Sequence, residues 1–83
     1  MENLQRLAMD FMRGNDRNFY SNGIELELSI YGYPIHPESI WYSDKEDKIY
    51  IHVGCPEFEG DLDIESLSDT NQKILRDVFN ANI

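Results

Sequence analysis

Four apolar positions spaced three and four apart open the chain. Leu4, Leu7, Ala8 and Phe11 recur at helical spacing, with Glu2, Arg6, Asp10 and Arg13 opposite them, so an amphipathic helix is predicted. Gly14 is the expected stop, because glycine accepts the left-handed conformation that follows a last turn. The period then lapses over "NDRNFYSNG", a loop that Phe19 and Tyr20 are expected to pin to the core.

From Ile24 the period becomes two. In "GIELELSIYGY", Ile24, Leu26, Leu28 and Ile30 face one way and Glu25, Glu27, Ser29 and Tyr31 the other, as a half-buried strand requires. "YPIHP" is expected to break that strand, since its two prolines remove backbone donors. "SIWYSDKEDKIYIHVG" then has the form of a hairpin: a strand over 39–43, a turn at "DKED" and a strand over 48–53. In its second arm Ile49, Ile51 and Val53 point inward, while Tyr50 and His52 point outward. Residues 57–65 fit a fourth strand or an extended arm. "LSDTNQKILRDVFNANI" closes the chain as a helix, capped by Ser68 or Asp69, with Ile74, Leu75, Val78 and Phe79 as its apolar stripe.

The order α-β-β-β-β-α groups the strands together. It predicts a small α+β two-layer sandwich: an N-terminal helix, a three- to four-stranded mostly antiparallel sheet and a C-terminal helix. Eighty-three residues, 41% of them hydrophobic, suit one domain over 1–83 with one modest core.

Charge changes the picture more than composition does. The formal net charge is −9, and residues 1–18 sum to zero, so the excess lies in 19–83. A surface of that sign repels phosphate backbones and anionic headgroups, which argues against direct nucleic-acid or membrane binding. The opening segment has neither the apolar run of a signal peptide nor that of an anchor. The single cysteine excludes an intramolecular disulfide and favours a reducing, cytoplasmic setting.

The acids are densest in "CPEFEGDLDIE", where Glu57, Glu59, Asp61, Asp63 and Glu65 stand at every second position. On a strand they form a rail with neighbours about 6.6–7 Å apart. Charges on an exposed edge strand discourage pairing between copies, which accounts for some of them. Five acids without a base exceed that need. Tyr31, Tyr33, Trp41 or Tyr42, Tyr50 and His52 form an aromatic set that the alternation could bring to the same outer face, a composition typical of interfaces.

Other chemistries find less in the sequence. His52 and Cys55 fall on opposite faces of a continuous strand unless a bulge at Gly54 rotates one of them. One cysteine and two separated histidines match no common zinc spacing. "DLDIE" begins like a calcium loop, but Ser66 stands where glycine is needed and Gln72 where a bidentate glutamate is needed. No phosphate loop or nucleophile elbow is present.

The sequence therefore leads to a non-catalytic cytoplasmic module, with no cofactor, that binds a basic protein partner. The contact residues expected are Glu57, Glu59, Asp61, Asp63, Glu65, Tyr31, Tyr50 and His52. The alternative is an inhibitor that mimics nucleic acid and occupies the cleft of a nuclease or DNA-binding protein. A third reading is a small enzyme or metal protein using His36, His52 and Cys55.

Overall fold

The computed structural model describes residues 3–55 and 58–83, and it is an α+β domain with a helix at each end. Helix α1 (Leu4–Gly14) begins at Asn3, whose side chain accepts hydrogen bonds from the amides of Gln5 and Arg6. That satisfies two of the amides a first turn leaves open. Leu4, Leu7, Ala8 and Phe11 are buried, as their spacing predicts.

The end of α1 differs from expectation. Gly14 is the last helical residue and does not adopt a left-handed conformation. Asn15 closes the helix instead: its side-chain amide donates to the carbonyls of Phe11 and Asn82, both at 2.9 Å, and so joins the two helix ends. In the loop that follows, Phe19 is fully buried and sits 6.0 Å from Phe11, ring to ring, whereas Tyr20 turns to solvent. Phe19 alone is the pin.

Five strands form two antiparallel sheets rather than one. Strands β1 (Leu28–Ile30) and β2 (Tyr33–Ile35) make a short hairpin. Strands β3 (Ser39–Ser43), β4 (Lys48–Cys55) and β5 (Phe58–Asp63) make a three-stranded sheet in that spatial order. Residues 24–27 keep the predicted alternation of buried and exposed side chains, but the ladder begins only at Leu28.

Strand β2 runs through Pro34, against the expectation that the prolines end all pairing there. The register explains why. A two-residue turn makes Ile30 and Tyr33 the hydrogen-bonded closing pair, so Ser29 and Pro34 form a pair that exchanges no ladder bonds. The amide that proline lacks would have pointed away from β1, where no ladder bond is lost. The turn itself, Tyr31–Gly32, has φ of 52° and 81°, the mirror-image geometry that matches strand twist.

The sheet edges are treated differently. Beside β3, the amide of Ile40 donates to Arg17 O and that of Phe19 to Glu38 O, both at 2.9 Å, which covers that edge. On β1, among the described residues, the cover is a single side chain. Asn71 donates its amide to Ser29 O at 2.8 Å and accepts from Ser29 N at 3.1 Å, as a neighbouring strand would. Strand β5 has a sheet partner on one side only.

Helix α2 (Asp69–Ala81) starts at Ser68, whose hydroxyl accepts from Asn71 N. Leu75 and Phe79 are fully buried, with Ile74 and Val78 packed beside them. The two helices meet at Phe11 and Phe79, whose ring centres are 5.2 Å apart. They cover the inner side chains Ile40, Ile49 and Ile51 in one hydrophobic core. Each such side chain contributes roughly 1.5–3 kcal/mol through burial. Among the described residues no helix is long and apolar enough to cross a membrane.

Candidate binding face

The side of the three-stranded sheet away from the helices carries Ser39, Trp41 and Ser43 from β3, Lys48, Tyr50 and His52 from β4, and Glu59, Asp61 and Asp63 from β5. Pairing sets them in rows: Trp41 beside Tyr50 beside Asp63, and Ser39 beside His52 beside Asp61. Trp41 is therefore the outward ring. Tyr42, one residue on, packs against the core and donates its hydroxyl to Asp47 at 2.7 Å. That bond, ahead of burial and the charges of Asp47 and Asp44, raises the Tyr42 pKa.

Trp41 and Tyr50 stack across β3 and β4, with ring centres 4.9 Å apart and planes inclined by 22°. Such pairs contribute about 0.5–1.5 kcal/mol beyond area burial. Polar contacts hold both rings by their edges. The indole donates to Asp61 Oδ1 at 2.9 Å, and the Tyr50 hydroxyl donates to Glu46 Oε2 at 2.6 Å. The bond to Glu46 is the main reason the Tyr50 pKa is pushed up to about 12, with burial and the charges of Glu46, Asp63 and Asp61 adding to it.

The acidic rail survives in part. Glu59 is exposed opposite Gly54. Asp61 is engaged twice: the oxygen that receives the indole also lies 3.2 Å from His52 Nδ1. A carboxylate only accepts, so the hydrogen in that second bond belongs to the imidazole. Asp63 approaches Lys48 Nζ at 3.5 Å and accepts from Glu65 N at 2.9 Å. That last bond starts a turn of 3-10 helix over Ile64–Ser66, so β5 ends at Asp63 and Glu65 leaves the row. Glu57 lies outside the described residues.

The expected site residues do not all come together. Asp61, Asp63, Glu59, Tyr50 and His52 share the outer face. Tyr31 stands apart at the tip of the β1–β2 hairpin with 91% of its surface exposed, and Tyr33 follows it on β2. Trp41 and Glu46 complete the face. Ile40 is buried, so parity along β3 sends Tyr42 inward and Trp41 outward, and Glu46 meets Tyr50 from the turn that joins β3 to β4.

The pairing of β4 with β5 runs unbroken through Gly54, so no bulge interrupts the strand there, and the side chain of Cys55 lies outside what the structure describes. His36 is elsewhere, with Nδ1 3.1 Å from Leu26 O. Among the described residues no three histidine, cysteine, aspartate or glutamate side chains gather as a metal-holding group. No family model, curated protein or solved structure matches the chain.

Proposed function

We propose that the chain is a non-catalytic protein-binding module whose outer sheet face docks on a basic surface of a partner protein. One observation carries the reading. The Trp41–Tyr50 stack, held flat by Asp61 and Glu46, stands beside a row of carboxylates that meets Lys48 and the imidazole of His52. Tyrosine and tryptophan supply most of the affinity in many interfaces, and surrounding charge steers the encounter and selects its sign. Both rings are already fixed by bonds to carboxylates, so little side-chain freedom remains to be lost on docking. The single cysteine supports a cytoplasmic setting.

The engagement of Asp61 and Asp63 within the sheet favours this reading over a nucleic-acid mimic, which needs its anions turned outward at phosphate positions. The test begins with capture of a partner from cell extract on the immobilised chain, released along a salt gradient and then purified. Glu59→Lys should lower the association rate and flatten its salt dependence. Tyr50→Ala should raise the dissociation rate. A partner that binds both variants as it binds the parent chain removes the outer face from consideration.

A further inference from the structure

The two sheets end at β1, β2, β3 and β5, and the first three of those edges are closed. Asn71 occupies that of β1, and the segment around Arg17 and Phe19 occupies that of β3. On β2 the residue whose backbone points outward is Pro34, which has no amide to offer. Strand β5 has none of these devices. It runs for six residues without a proline, and its pairing with β4 is unbroken. Among the described residues no backbone bond reaches it except from β4.

Parity decides what the open edge presents. The amide of Ile40 points away from β4, toward Arg17, so Ile40 and Ile51 are a pair that exchanges no ladder bonds. Ile51 therefore turns its amide and carbonyl to Leu62, and the residues of β5 alternate from there. Glu59, Asp61 and Asp63 are left with their backbone groups on the open edge and their side chains on the outer face. Ser66 donates its hydroxyl to the carbonyl of Asp63 at 2.7 Å, which agrees with that direction and closes one end of the row. The amides of all three residues, and the carbonyls of Glu59 and Asp61, stay open among the described residues.

We infer that the β5 edge takes an extended segment of a partner protein as an added antiparallel strand, with lysine or arginine at alternate positions and uncharged residues between them. In antiparallel pairing the residues that bond to Glu59, Asp61 and Asp63 also stand opposite them, with Cα atoms about 5.5 Å apart and side chains on the same outer face. Carboxylates in those places call for cations. Among the described residues the Glu59 carboxylate and Asp61 Oδ2 accept no hydrogen bond, so both are free to meet them. The intervening positions lie beside Gly60 and Leu62, on the side of the sheet that faces the core, where charge is unwelcome. A second copy is the wrong occupant. Setting β5 against β5 would oppose these carboxylates to one another, and like charges directly opposite destabilise a strand pair. The row thus bars self-pairing and leaves the edge open to a strand of opposite sign. Strand addition rests on the outer face being the surface that meets a basic partner, and it specifies how that partner is held.

The probe is the end-blocked pentapeptide Lys-Val-Lys-Val-Lys, titrated into the intact chain at low salt. Its lysines match Asp63, Asp61 and Glu59, and its valines match Leu62 and Gly60. Hydrogen exchange at the amides of Glu59 and Asp61 should slow as it binds. Methylating the backbone nitrogen of the central lysine, which faces β5, should weaken binding about 10-fold or more. Methylating a valine nitrogen, which faces solvent, should change it by less than about 3-fold. All three peptides carry the same charge, so attraction to a chain of net charge −9 does not produce the difference. On the protein side, Glu59→Pro should bind the parent peptide about 10-fold more weakly than Glu59→Gln. Both lose the carboxylate, but only proline loses the outward amide, and no bond to β4 goes with it. The peptide comparison uses the unaltered chain and so holds whether or not Glu59→Pro folds. The inference is overturned by no binding at about 1 mM peptide, by equal affinity of the two methylated peptides, or by binding that leaves exchange at Glu59 and Asp61 unchanged. In that last case the outer face keeps its role and only the added strand is lost. A partner indifferent to Glu59→Lys and Tyr50→Ala removes the face itself.

Discussion

Replacing Asn71 by alanine removes the side chain that occupies the β1 edge. Asn71 is 2% exposed and is bound to Ser29 at both amide and carbonyl. Each bond is worth about 1 kcal/mol net. Ser29 itself is exposed, so water can meet its freed groups and no further desolvation penalty is added. Alanine returns up to about 0.5 kcal/mol of helix propensity in the first turn of α2, while the vacated space costs a similar amount. The expected loss is about 1.5–2 kcal/mol. An 83-residue domain has an unfolding entropy of about 0.17 kcal/mol/K, so the midpoint should fall by roughly 9–12 °C. Thermal melts followed by far-UV circular dichroism measure the fall. Amide exchange at Ser29 should quicken more than exchange in β4. A shift below about 3 °C, or unchanged exchange at Ser29, would refute the account of Asn71 as a stand-in strand.

Two further outcomes follow from the same geometry. Tyr31→Asn should stabilise the chain by about 1 kcal/mol, since a left-handed conformation costs most residues roughly 1–2 kcal/mol and the ring buries little. A urea midpoint at or below that of the parent chain would contradict this. Tyr50 should make stability fall in alkaline solution. Its folded pKa of about 12 lies above the ordinary 10.0, so its contribution is complete below pH 10 and is lost as the pH rises toward 12. Tyr50→Phe should lose less stability than the parent chain across that window, with Tyr42 accounting for part of what remains, and parallel alkaline melts of the two proteins decide the matter.

The layout of helices and the long hairpin was legible because single residues repeat at a clear period. Leu4, Leu7, Ala8 and Phe11 could face a core in no other local structure, and Ile49, Ile51 and Val53 alternate across a turn with no apolar residue. The second sheet was not legible. Proline reads as a breaker, and only the register shows that Pro34 falls where no ladder donor is needed. Gly14 misled for a related reason: the helix end is decided by Asn15 reaching Asn82, a contact 67 residues away in sequence. The rail was correct as a strand, but Asp63 caps a turn and so diverts Glu65. Asn71 gave no signal, because a polar residue in a helical first turn is ordinary. Its role exists only after the hairpin has arrived beside it.

Trp41 is the only tryptophan in the chain, and it lies flat on Tyr50 at the outer face, outside the core. The molecule therefore carries an optical reporter aimed at its candidate contact surface. Its emission is set by the stacked phenol and by the carboxylate that holds the indole. A partner covering the outer face should shift or quench that emission, whereas one that binds elsewhere should leave it unchanged. A single unlabelled titration can thus tell which surface has been occupied, before any residue is altered.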